Sequence, residues 1–238
     1  MNSNKYDITK IYIKSDKIKK NTIIAHISDL HNSNFSEILD IIKAKKPDFI
    51  AVSGDFSNRY TRSWDKGLDF LTKAAMNFPV FLSLGNHEVS FFNESDMEKI
   101  KKSGAVLLDN EFLTFGDFSV GGLTSNKDFS NFAFFNSFSG EKNQFRLLLC
   151  HHPEYYNMFL KHYDFDLILS GHAHGGQIRI PFIGGVFSPG QGLFPKITNG
   201  IHFEKLVISR GLGNPNKCPR WFNKPEIVFI EIETYNTI

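Results

Sequence analysis

Ile23-Ile24-Ala25-His26-Ile27-Ser28 runs without a break into Asp29-Leu30-His31. The first six residues form a short apolar run of the kind that makes a buried strand. The last three place a carboxylate and an imidazole where that strand ends. The same figure recurs along the chain. Phe49-Ile50-Ala51-Val52-Ser53 ends in Gly54-Asp55, and Val80-Phe81-Leu82-Ser83-Leu84 ends in Gly85-Asn86-His87-Glu88. Leu147-Leu148-Leu149-Cys150 leads into His151-His152-Pro153, and Leu167-Ile168-Leu169-Ser170 into Gly171-His172-Ala173-His174.

Helical patterns fill the early gaps, at Phe35–Lys46, Ser63–Phe78 and Asp96–Lys102. Pro47 and Pro79 stand where the first two must stop. Further strands are read at Leu206–Ser209 and Ile227–Ile232. Strands alternating with helices define an α/β domain whose sheet is largely buried. In such sheets ligands gather beyond the carboxyl ends of the strands. The five polar clusters are therefore expected to converge on one rim.

The 238 residues suit one domain spanning 1–238. Lys+Arg 27 against Asp+Glu 25 leaves a net charge of +2, too little for a broad field that captures nucleic acid. Cys150 and Cys218 cannot make a disulfide scaffold or a four-thiolate zinc site. Cys150, within an apolar strand, reads as a small buried hydrophobe. The N-terminus shows no apolar signal region and no window is long and apolar enough to span a bilayer, so a cytoplasmic location is expected. Lysines 5, 10, 14, 17, 19 and 20 read first as the solvated face of an edge strand. Contact with an anionic membrane is the sharper reading of the same residues.

Asp29, His31, Asp55, Asn86, His151, His172 and His174 are seven candidate ligands of hard-to-borderline character. Seven exceed what one tetrahedral zinc with an open position takes. They suit two divalent ions sharing one carboxylate, the arrangement that clamps attacking and leaving oxygens in a phosphoryl displacement. Taken singly, an Asp at a strand end is as readily a helix cap and a lone His a hydrogen-bonded core residue. It is their joint order that points to metal.

The ordered set Asp29-x-His31, Gly54-Asp55, Gly85-Asn86-His87-Glu88, His151-x-Pro153 and Gly171-His172-x-His174 resembles that of the calcineurin-like metallophosphoesterases. Gly175-Gly176-Gln177-Ile178-Arg179-Ile180-Pro181, Ser209-Arg210-Gly211-Leu212-Gly213 and Pro219-Arg220-Trp221-Phe222-Asn223-Lys224-Pro225-Glu226 are similar to a bacterial branch of that family. The branch holds predicted phosphohydrolases and membrane-associated phosphodiesterases, some of which cleave the pyrophosphate of UDP-diacylglucosamine. The resemblance implies an αββα four-layer sandwich, two mixed sheets flanked by helices.

It also implies roles. Asp29, His31 and His174 would hold one ion and Asn86, His151 and His172 the other, with Asp55 bridging. A hydroxide between the ions would attack phosphorus in line. Manganese is the first expectation for both ions, with iron, zinc or magnesium as alternatives. His87 would serve the leaving group as an acid or charge stabiliser, and Glu88 would orient His87 or another outer group. His152 is expected in the pocket wall, and His26, His162 and His202 are expected to be structural.

Arg179 and Arg210 are candidates for holding phosphate oxygens, since guanidinium forks match them; a structural salt bridge is the equal alternative. Two Phe-rich segments, Phe129–Phe138 and Pro181–Phe187 with Phe194, could wall the site for acyl chains, a base or a membrane interface. Ordinary packing is the preferred reading of both. The expected partner is a small phosphorylated substrate, a lipid-linked one within range, with no nucleic acid and no protein partner implied. The rival functions are a phosphomonoesterase or nuclease with the same centre, and a non-catalytic scaffold of the same fold.

Overall fold

Side-chain alternation along the buried strands separates three apolar cores. In the strand Phe49–Val52, Ile50 and Val52 pack with Ile38, Leu39, Phe70 and Leu71 of two helices. Phe49 and Ala51 point the other way, into a core shared with Val120, Leu147, Leu149, Leu167 and Val207. In the strand Phe145–Cys150, Leu147 and Leu149 belong to that shared core, whereas Leu148 and Cys150 join a third with Phe134, Phe135 and Phe138. Strand side chains alternate with a period of two, so each of these strands serves two cores. Three stacked cores require four layers, in the order helices, sheet, sheet, helices. The expected αββα sandwich is the observed one. The computed structural model describes residues 5–125, 132–215 and 218–235.

Both sheets have six strands and both are mixed. In the first, Thr22–Ile27, Phe49–Val52, Val80–Leu82 and Val106–Leu107 run parallel, and Glu226–Thr234 returns antiparallel beside Thr22–Ile27. Asp7–Ser15 closes this sheet as a parallel edge strand, and Lys10 and Lys14 on it are exposed, as the edge-strand reading requires. In the second, Phe118–Leu123, Phe145–Cys150, Leu167–Ser170 and Leu206–Ile208 are parallel. Glu111–Phe115 and Gly200–His202 flank them antiparallel.

The helices Ser36–Lys45, Asp65–Ala75 and Glu94–Lys102 fall within or beside the expected spans. Lys46, in a left-handed conformation at φ 53°, ends the first just before Pro47. Asn93 caps the third by accepting from the Asp96 amide, while the Asp96 carboxylate accepts from the Asn93 amide, both at 3.2 Å.

The hairpin Glu111–Phe115 with Phe118–Leu123 was not legible as strands. Its second strand carries Gly121 and Gly122, which dilute the apolar alternation. The fold needs them bare: a Cβ on Gly121 would strike the Phe138 ring and one on Gly122 the Leu108 carbonyl. Of the first Phe-rich segment, Phe134, Phe135 and Phe138 pack in the third core, as expected of packing residues. Phe129–Asn131 lies outside the described residues. Among the described residues no helix is long and apolar enough to cross a membrane.

Candidate metal centre

The parallel strands of the two sheets bring their carboxyl ends together, and the polar clusters meet there. Asp29, His31, Asp55, His172 and His174 have left-handed backbones, with φ 52°, 47°, 56°, 64° and 46°. Non-glycine residues rarely adopt this region, and where they do it marks a site held by its surroundings. The backbone turns sharply as each strand ends and aims the side chain inward. Gly85 and Gly171 permit the close approach: a Cβ on Gly85 would collide with Asp55 Oδ1, and one on Gly171 with Asp29 Oδ2.

Two donor sets result. Asp29, His31 and His174 form one, and Asp55, His151 and His172 the other, each with ligand atoms within 4.8 Å of one another. His174 Nε2 lies 3.3 Å from Asp29 Oδ1, and His151 Nε2 lies 3.1 Å from Asp55 Oδ2. Asp55 also groups with His31 and His87, so its carboxylate reaches both sets. Asn86 opens the short helix Asn86–Val89 and lines the same cleft as Asp55, His87, His172 and His174. All seven expected ligands are thus at one rim.

Hydrogen bonds assign the ring protons. His151 Nδ1 meets the Ser53 carbonyl at 2.8 Å and His31 Nδ1 meets the Ser57 carbonyl at 3.2 Å. A carbonyl can only accept, so both rings carry a proton on Nδ1 and turn Nε2 inward, the atom that would bind a metal once unprotonated. His174 differs: its Nδ1 accepts from Arg220 Nη2 at 2.9 Å, and its Nε2 faces His31 Nε2 at 3.1 Å. His87 Nδ1 accepts from the Arg59 amide at 3.1 Å. Neutral His87 therefore keeps its proton on Nε2 and can donate from it; neutral His174, its Nδ1 likewise accepting, would release its Nε2 proton to take a bound ion. Burial, outweighing the attraction of Asp55, pushes the pKa of His87 down to about 4.

These residues fit divalent cations. Asn86 Oδ1 is buried with no hydrogen-bond partner, as expected of an atom that takes an ion. The two carboxylates favour positive charge strongly. Against the effect of burial, Asp55 and then Asp29 raise His151 to about 10. The imidazoles in turn outweigh burial and hold both carboxyls well below the usual range.

Of the two roles expected of Glu88, it takes the second, orienting groups other than the His87 ring. Its buried carboxylate accepts from the amides of Asp55, Ser57 and Gly85, each at 2.8 Å, and joins the two loops. Arg179 and Arg210 do not line the cleft, which corrects their reading as phosphate holders. Arg179 donates to Gly175, Thr198 and Asn199, and Arg210 is paired with Asp7 and Glu226 at 3.0 Å. The arginine that lines the cleft is Arg59, beside Tyr60. It follows the Gly54-Asp55 motif by four residues, and only the course of that loop shows where it leads.

Glu154 and Asn223 also escaped the sequence reading. Glu154 accepts from or faces His152 Nδ1 at 3.1 Å, and Asn223 donates to the His174 and Gln177 carbonyls. His152 does not line the cleft; it stands against His172, their rings 4.1 Å apart. His26 and His202 bond to Ser53 and to the Asn199 carbonyl as structural residues do. The second Phe-rich segment is not packed away: Phe182, Ile183 and Phe194 are exposed.

The fold and the rim together define a metallophosphoesterase. The calcineurin-like phosphoesterase family model matches residues 22–176, and the chain belongs to that family. It is similar to the uncharacterized metallophosphoesterase YkoQ of Bacillus subtilis, at 29% identity, over 90% of this chain and 84% of that protein. It is also similar to the phosphodiesterase YaeI of Escherichia coli, at 28% identity, over 88% and 81%. Among solved structures, the 5'-nucleotidase precursor of Thermus thermophilus shares the fold with TM-score 0.50 and 15% identity. That match covers 80% of this chain, which spans about half (49%) of the nucleotidase.

Proposed function

We propose that this chain is a dinuclear-metal phosphoesterase that hydrolyses a phosphodiester or pyrophosphate. The observation that carries the reading is the position of Asp55, within ligand distance of both donor sets. Asp29, His31 and His174 would hold one divalent ion, and Asn86, His151 and His172 the other. The ions, manganese first, would supply an acidified water and offset the charge of the phosphate. Every other task falls to the chain. Asp55, fixed by the His87 amide at 2.8 Å, sets the spacing of the sets. His87 presents Nε2–H to the leaving oxygen, a donor that burial keeps neutral at neutral pH.

The cleft suits a small substrate with a phosphate and an apolar or aromatic part. Its walls combine Arg59 and Tyr60 with Phe187, Pro189 and Pro215 in a volume of about 270 Å³. A nucleotide-type or lipid-linked phosphoester has both parts.

The test is hydrolysis of a chromogenic phosphodiester with manganese, alongside metal analysis. Wild type should turn over and hold two equivalents, and Asp55→Ala and Asn86→Ala should be inactive. Turnover unchanged in both variants would remove the assignment. Less than one equivalent after manganese soaking would favour the scaffold instead.

A further inference from the structure

Beyond the metal rim, Phe182, Ile183, Leu193, Phe194, Trp221 and Phe222 are all exposed. They form one continuous tip. The Arg179 amide donates to the Trp221 carbonyl at 2.9 Å, and Phe222 shares an open cavity of about 450 Å³ with Phe182 and Ile183. The Phe194 amide donates to the Val186 carbonyl at 2.8 Å, next to the ribbon in which Phe187 pairs with Leu193.

Exposure is one cost of this arrangement, and backbone strain is another. Phe182, Phe194 and Phe222 have φ of 68°, 50° and 52°, a region that disfavours bulky side chains and accepts glycine or asparagine readily. Strained residues persist where they serve a function. Three outward aromatics at left-handed positions are not accounted for by packing.

Charge says what covers the tip. Residues 175–203 and 205–225 contain no Asp or Glu, and Lys196 and Lys224 are exposed two residues beyond Phe194 and Phe222. A second copy docked two-fold on this surface would set lysine against lysine. An anionic bilayer satisfies both features, since aromatic and leucine side chains enter the interface while lysines meet the headgroups. The tip is also continuous with the cleft: Phe187, paired with Leu193, lines the cavity that holds Asp55, Asn86, His87, His172 and His174.

We infer that this aromatic tip is a membrane-docking surface that seats on anionic lipid and brings the metal cleft to the headgroup plane. Access to a lipid-linked phosphoester rests on the phosphoesterase reading; the docking does not.

Tryptophan emission of the full chain, without added metal or substrate, tests the docking alone. Trp221 is 62% exposed and Trp64 9%, so a lipid-dependent blue shift reports Trp221. Vesicles of phosphatidylglycerol with phosphatidylcholine should give the shift and co-sediment the protein, and added salt should weaken both. Phe182→Asn with Phe222→Asn should bind at least tenfold more weakly, yet melt no lower than wild type because the backbone strain is relieved. Turnover of a soluble phosphodiester should be unchanged in this variant, since neither residue lines the cleft. Lys196→Glu with Lys224→Glu should lose the preference for phosphatidylglycerol over phosphatidylcholine alone. No shift and no co-sedimentation with either lipid, or full binding by the asparagine variant, would overturn the inference. So would a blue shift that grows with protein concentration in the absence of lipid, which would make the tip an interface between copies.

Discussion

The carboxylate of Glu88 accepts the backbone amide of Asp55 at 2.8 Å, deep beneath the rim. The same group takes the amides of Ser57 and Gly85. One side chain thereby fixes the loops that follow two parallel strands, and with them the positions of Asp55 and Asn86. Glu88→Ala leaves three buried N–H groups without acceptors, at about 1–3 kcal/mol for each. Relaxation will recover part of this, and a net loss of ~3 kcal/mol is expected by denaturant titration. Manganese affinity should fall with it. Wild-type stability in the variant would show that water replaces the carboxylate.

His87 lies within ligand distance of His31 and Asp55, but its Nδ1 is occupied by the Arg59 amide. His87→Asn should lower turnover by about 10²–10⁴-fold and leave the bound metal at its wild-type stoichiometry. Loss of metal in that variant would make His87 a ligand.

Gly171 lies against Asp29, and a methyl group there would also meet Ser28 Oγ at 2.7 Å. Asp29 is held by Ser28 Oγ at 2.6 Å and by the His172 amide. Gly171→Ala must therefore displace the Asp29 carboxylate. Metal analysis should show the content of the variant falling below that of wild type, because Asp29 moves and His172 of the other set is tied to it through its amide. Full occupancy would show that the strand ends have room to separate.

Away from the rim, buried Arg146 donates to Asp166 at 2.9 Å and to Asp164 at 3.0 Å, and Lys17 reaches Asp166 at 2.7 Å. Burial alone would raise the Asp166 carboxyl, but the bonds from Arg146 and Lys17 outweigh it and hold the group below its ordinary 3.8. A depressed carboxyl stabilises the fold at pH values above its unfolded pKa, and the benefit is lost as pH falls through the folded pKa. Asp166→Asn should be about 2 kcal/mol less stable than wild type near pH 7. The two stability curves should converge as pH falls through the depressed folded pKa of Asp166, below its ordinary 3.8. A constant gap through that range would mean that the Asp166 charge contributes nothing.

The sequence by itself determined the α/β alternation and the seven candidate ligands. Both are local signals: an apolar strand that ends in Asp, Asn or His is complete within ten residues, as in Ile23–His31. The sandwich and the family came from the order of those signals along the chain. The Gly121-Gly122 strand was hidden because its glycines answer to Phe138 and Leu108, distant in sequence.

Only the tertiary structure decided where side chains spend their hydrogen bonds. Arg179 and Arg210 have the chemistry to hold phosphate, but nearer acceptors take them, while Arg59, which donates to neighbouring Tyr60 Oη, lines the cleft. Glu88 follows His87 in sequence, yet it serves amides on another loop. Phe182 and Phe135 are alike as residue types, one turned outward at φ 68° and one 1% exposed. Residue type sets what a group can do, and the neighbours that folding brings from elsewhere in the chain decide which of those things it does.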